Sequence, residues 1–178
     1  PQIATAPNKS ARQKLINALI NSNPSLNTAF NEAKHAAEAV SKFVRESKRY
    51  ILTAVGDVNT YALFAEHFRN LISSIGRTGI ILPTGIATDD TTKYFFGDLI
   101  DKKSIVSLLD FENREAIFPG VHRAYKFSLL TLSGTPVNKS EFVFFATRPE
   151  HLKDVQRRFS LAPHEIALFN PNSHTMSV

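Results

Sequence analysis

Phe118-Pro119-Gly120 is the tripeptide in this chain whose residue types and order could do chemistry by shape. Proline fixes the backbone beside the ring, and glycine lets a ligand come close. The tripeptide stands between two apolar segments, so a bulky aromatic is offered on a loop between strands. Such a ring presents a flat face to a planar ligand. An enzyme that modifies a nucleobase has to extrude it and hold it between aromatic or apolar walls. Stacking of that kind contributes roughly 1–3 kcal/mol per base. The competing reading is that Phe118, with Pro119, plugs the end of a core beneath a tight turn.

Other groups carry weaker signals. Tyr61 and Phe64 lie on one amphipathic segment, where either could line a pocket for a flat ring or belong to a buried face. Thr84, Thr88, Asp89 and Asp90 follow a short apolar run, the place where open α/β sheets bind ligands; helix capping accounts for them equally. Gly79 and Gly85 form no phosphate-binding pattern. Asp110 and Glu112 share one face of a strand end, suited either to acid–base work or to simple solvation. The histidines (His35, His67, His122, His151, His164) show no metal-ligand spacing. No serine or histidine sits in a nucleophile-elbow context. Arg114, Arg123 and Lys126 flank the Phe-Pro-Gly loop and are candidates for phosphate contacts. Lys42, Arg45, Lys48 and Arg49 read as solvated surface.

These groups need elements to hold them. The chain has 178 residues, 43% of them hydrophobic, enough for one domain with a real core. Its net charge of +5 is compatible with a polyanionic partner. There is no cysteine, so disulfides and thiolate metal sites are excluded. No apolar run approaches the roughly 20 residues that cross a bilayer, and no signal sequence opens the chain. A cytoplasmic location is the expectation. Pro1 stands first and the single methionine is Met176, as expected of a piece of a longer polypeptide.

Residues 1–50 show helical periodicity and read as a helical hairpin, with helices starting near Pro7 or Asn8 and near Pro24 or Ser25. Residues 46–56 read as a connector. Asp57 is the expected cap of an amphipathic helix whose shared face carries Val58, Tyr61, Phe64, Ala65, Phe68, Leu71 and Ile72. Thr78 to Leu82 reads as a strand covered on both sides. A helix is expected from Thr88 to about Lys103, then strands Ser104–Phe111 and Tyr125–Leu132. A fourth strand, Glu141–Thr147, follows a turn containing Gly134 and Pro136. Pro149 is expected to open a helix to about Phe159, and a short helical turn around Pro163 to Leu168 leads to a loop from Asn170 to Ser173. The pattern is half of an α/β sheet.

Taken together, Asn59-Thr-Tyr-Ala-Leu-Phe64, GRTGIILPTGIATDDTTKYFF and FENREAIFPGVHRAYKFSLLTL resemble the later part of adenine-specific, S-adenosylmethionine-dependent DNA methyltransferases, in particular the large fused proteins of restriction–modification and phage-defence systems. The likeness covers about residues 57–133. It implies a partial Rossmann-like sheet containing the last three strands in the order five, seven, six. The seventh is antiparallel, an extra edge strand is added, and the N-terminal hairpin is an insertion. Residues 51–148 then form the C-terminal half of the catalytic domain. Residues 149–178 lead towards a target-recognition domain. By the same resemblance Phe64 packs on the cofactor's adenine, with Tyr61 nearby, and Pro83 and Thr84 close the sheet edge beside it. Phe118 and Pro119 sandwich the flipped base. The family's Asn-Pro-Pro-aromatic loop and its glycine-rich cofactor turn have no counterpart here. No catalytic residue is therefore assigned, and the piece alone is expected to be inactive. Double-stranded DNA and the remainder of the parent polypeptide are the implied partners, with an edge-strand homodimer across Thr78–Leu82 as a further expectation. Two other readings stand beside this one: a non-catalytic DNA-binding or assembly module, and a different α/β enzyme with its ligand beside Thr84 and Asp89.

Overall fold

Asn23 shows how little sequence is needed to reverse a helix. It closes α1 (Lys9–Ser22) by donating its backbone N–H to Leu19, and its side chain opens α2 (Pro24–Glu46) by accepting from Leu26 N. Pro24 at the first helical position fits the same reversal. Asn8 caps α1 through Ala11 N at 2.9 Å. This hairpin lies in the first of two units into which the chain divides, residues 1–48 and 49–178. The computed structural model describes residues 2–171, 175 and 176. Asn172 and Ser173 of the expected terminal loop lie outside that set.

The second unit holds α3 (Thr60–Leu71), β1 (Arg77–Pro83), a short α4 (Gly85–Thr88), α5 (Lys93–Asp101), β2 (Ile105–Glu112), β3 (Lys126–Ser133), β4 (Ser140–Ala146), β5 (Phe159–Leu161) and α6 (Pro163–Ile166). The sheet order is β1-β3-β2-β4-β5, with β3 antiparallel to both of its neighbours. The first three strands thus stand in the expected order, the antiparallel strand between the other two. Phe95, Phe96, Leu99, Ile105, Leu108, Leu130, Leu132 and Phe142 form the main core on one side of the sheet. Phe111, Val143 and Ala146, with Leu129 and Phe127, form a smaller cluster.

Several expectations are corrected. β4, the next strand in sequence after β3, pairs with β2, in parallel. The turn after β3 therefore has to carry the chain across the start of β2. It is fastened there by Ser133 N to Ser104 O (2.8 Å), Val137 N to Lys103 O (2.7 Å) and Ser140 Oγ to Ile105 O (2.7 Å). Gly134 is needed at this crossing, since a Cβ there would lie 2.0 Å from the Ser73 carbonyl oxygen. β1 is not covered on both faces: Thr78, Ile80 and Leu82 are the more buried positions, while Gly79 and Ile81 are exposed. Among the described residues nothing pairs with its outer edge.

The helix foreseen from Thr88 begins instead at Lys93, because Gly85–Thr88 makes its own turn and Asp89 is extended (ψ 144°). Asn59, not Asp57, precedes α3. Its buried face is Ala62, Ala65 and Glu66, whereas Phe64, Phe68 and Leu71 are exposed. Glu66 explains the rotation: its carboxylate accepts from Leu52 N, Thr53 N and Thr53 Oγ1 (3.3, 3.0 and 2.7 Å), which ties the preceding turn to this face. Pro149–Lys153 is a single 3-10 turn, and residues up to Phe159 do not continue it as a helix.

Candidate functional site

The carboxyl end of β1 opens into a cleft of about 470 Å³. Its walls include Asn59 and Tyr61 from the start of α3, Pro83 and Thr84 from the strand end, Asp89, and Lys126 from the start of β3. That volume lies within the range of small-molecule sites, and one aromatic wall with a few polar groups is their usual make-up. Burial, together with the negative charge of Asp89, pushes the Tyr61 phenol above its ordinary pKa, so it stays a hydrogen-bond donor. Three of the four residues expected at a cofactor, Tyr61, Pro83 and Thr84, therefore meet in one cleft. Phe64 does not line it; its ring is exposed and stacked on Phe68 at 6.1 Å.

The Phe-Pro-Gly loop is held by a residue that sequence reasoning passed over. Asn113 is fully buried, and its amide is spent on the loop tip: Oδ1 accepts from Phe118 N (2.9 Å), while Nδ2 donates to Phe118 O (3.0 Å) and Val121 O (2.9 Å). Only an amide can donate and accept at once in this way. Phe118 itself is 38% exposed. Its ring stands edge-on against Phe127 (5.0 Å, 74°), which in turn stacks on Phe111 (5.3 Å). The ring is propped by an aromatic shelf and keeps part of its surface open. Gly120 at the tip would accept a Cβ with nothing within 4 Å, so the fold does not demand glycine there.

Of the three cations expected at phosphates, Arg114 pairs with Glu112 (3.0 Å), and Arg123 donates to the Arg114 carbonyl (2.8 Å). Both are exposed beside the loop. Lys126 is half-buried and faces the cleft.

Between cleft and loop lies a buried polar cluster. Thr84 Oγ1 donates to Asp110 Oδ1 and lies 3.1 Å from Ser128 Oγ. The backbone N–H of Phe145 donates to Asp110 Oδ2 at 3.4 Å. Asp110, Thr84 and Ser128 are all buried, so the solvated strand end weighed for Asp110 is not what forms; Glu112 is half-buried. Burial pushes the Asp110 carboxyl above the ordinary carboxylate range, against the opposing pull of Thr84, the Phe145 N–H, Lys126 and Ser128. Opposite Asp110, β4 bulges: Leu109 faces Val143 and Phe111 faces Ala146, leaving Phe144 and Phe145 against one residue. Phe145 has φ +58° and is 54% exposed. The run Phe142-Val143-Phe144-Phe145 was a legible hint, because four large apolar residues in a row break strand alternation.

Among the described residues no cluster of three His, Asp or Glu could hold a metal, and no helix is long and apolar enough to cross a membrane.

The mixed α/β sheet is similar in fold to part of the proteins of restriction–modification systems. The chain is similar to the methyltransferase subunit of a type I restriction–modification system from Streptococcus thermophilus, with a TM-score of 0.58 and 14% identity over 76% of this chain and 34% of that one. It is also similar to the type IIG restriction endonuclease BpuSI (TM-score 0.51, 16% identity, 72% of this chain and 17% of that one). A third likeness is to a chain from a structural study of type I restriction–modification complex assembly and conformational transition (TM-score 0.53, 11% identity, 70% and 32%). This chain thus spans about a third or less of each of these proteins. No protein-family model and no curated protein matches it.

Proposed function

We propose that this chain is the C-terminal part of the catalytic domain of an S-adenosylmethionine-dependent DNA methyltransferase that acts on adenine N6 in restriction–modification or phage defence. The observation that carries the reading is a half-open ring, Phe118, fixed by buried Asn113 at the same end of the sheet as the Tyr61–Thr84 cleft. A flipped base would stack against Phe118 with Pro119 beside it. Arg114, Arg123 and Lys126 would meet the phosphates that flank it.

The cleft suits an adenosine-like group: Tyr61 and Pro83 offer apolar walls, while Thr84, Asp89 and Asn59 offer polar ones. Phe64 would join them only through a face that the present chain leaves open. The bound cofactor would supply the methyl group. What these residues contribute is position, orientation and exclusion of water. The Asn-Pro-Pro-aromatic loop that holds the adenine amino group would come from the rest of the parent, so the piece alone would not transfer methyl groups. The unpaired edge of β1 would accept the preceding strand of the parent. In its absence the same edge would pair with a second copy of the chain.

The test uses the full-length parent. Phe118→Ala should reduce methyl transfer to adenine by about fivefold to somewhat over a hundredfold, from loss of roughly 1–3 kcal/mol of stacking, while cofactor affinity changes little. Equal loss of both would remove the stacking role. For the isolated chain, light scattering showing a strict monomer at high concentration would dismiss the edge dimer.

A further inference from the structure

Phe145 is a further exposed aromatic at this end of the sheet, with Phe118 and Tyr125, and its tilted neighbour Phe144 (6.5 Å) leaves most of it open. A non-glycine residue at φ +58° sits in the left-handed region, which costs on the order of 1–2 kcal/mol for a residue with a Cβ. Glycine would take the same bulge position at no steric cost. The ring then adds a second cost, because 54% of the residue faces water. A bulge re-aims a side chain, and here it turns a phenylalanine outward from a strand whose neighbours Val143 and Ala146 are buried.

The position is also built rather than loose. The Phe145 N–H is bound by Asp110, whose other oxygen takes the Thr84 hydroxyl, so the bulge is anchored to the cleft wall through buried groups. Lys126, which lines the cleft, places its ammonium 5.2 Å from the centre of the Phe145 ring. An exposed flat ring beside a cation matches a nucleotide: a base for the ring, a phosphate for the charge. Local strain held by surrounding structure is the pattern from which function is inferred. Blunting the sheet edge, the plain structural role of a bulge, would be met by glycine and gives no reason for an aromatic.

We infer that Phe145 is a second nucleobase-stacking residue, which with Lys126 grips an unstacked nucleotide beside the one held at Phe118. This rests on the DNA-binding reading above and extends it.

The experiment measures binding of the full-length protein to a duplex carrying one unpaired 2-aminopurine, with the fully paired duplex as reference. Phe145→Gly should leave thermal stability unchanged or raise it, because the strain is relieved. It should weaken binding of the unpaired-base duplex roughly tenfold, with little effect on the paired one and the same salt slope, since phosphate contacts are kept. Phe145→Trp should retain the preference. If Phe145→Gly keeps the preference while Phe118→Ala loses it, the inference is overturned and the DNA reading survives. If the unsubstituted protein shows no preference for the unpaired base, both fall together.

Discussion

Two of the exposed aromatic rings at one end of this sheet, Phe118 and Phe145, are each held by a fully or almost fully buried polar residue, but the two holders differ in kind. Asn113 is neutral, gives two hydrogen bonds and takes one, and closes a loop whose ring rests on Phe127. Asp110 accepts, is titratable, and pins a strained bulge whose ring lies beside a cation and tilted against Phe144. The contrast teaches that one ring is placed by packing plus an amide clamp, the other by charge and backbone geometry. The loop should therefore be indifferent to pH and sensitive to truncation; the bulge should be the reverse.

The widest separation comes from Asn113→Ala. It strands the Phe118 N–H and two carbonyls, and should cost about 2–4 kcal/mol in urea unfolding. Amide exchange should accelerate through residues 116–121 and stay slow around Phe145; acceleration in both places would erase the distinction. Phe127→Leu removes the shelf under Phe118 and its stack with Phe111. A loss of about 1–2 kcal/mol is expected, again with the bulge untouched by exchange.

Asp110 supplies the pH arm. Because burial raises its folded pKa above the unfolded value, the folded chain holds this proton more tightly than the unfolded one. Its contribution to stability is fully present below the ordinary carboxylate range and is lost as pH rises through the folded value. As pH rises from below the ordinary carboxylate range through the raised value, the wild type should lose stability relative to Asp110→Asn, measured as the difference in urea midpoint. A difference that does not change with pH would remove the titration from the argument. The smallest effect is expected from Lys126→Met. It deletes a cation–π contact worth less than about 1 kcal/mol, and it shifts the Asp110 window further upward, since the lysine charge had opposed the burial effect.

The existence of the first three strands and of the helical hairpin was legible from local signals: apolar runs, Pro24 after an asparagine, and an aromatic loop between strands; the order of those strands was implied by the family resemblance alone. Three of the four residues that the resemblance assigns to a cofactor lie together because they sit at the end of one strand and the start of one helix. What sequence could not supply were long-range polar ties. Glu66 rotates α3 by binding a turn thirteen residues upstream, which leaves Phe64 outside the cleft. The partnership of Asp110 with Thr84 and Phe145 spans 26 and 35 residues. The partner of β4 was not legible, because a short turn after a strand does not say which neighbour the next strand joins; the bonds that fasten residues 133–140 over the start of β2 accompany its pairing on the far side.

That crossing sets an order of assembly. β4 is a sequence neighbour of β3 yet pairs, among the strands, with β2 and β5, so no local zipper with β3 can nucleate it. It has a place to dock only once the strand between has been laid down. Closure of the bulge bearing Phe145 therefore depends on β2 being in place, whereas the Phe118 loop is framed by strands that pair directly with each other.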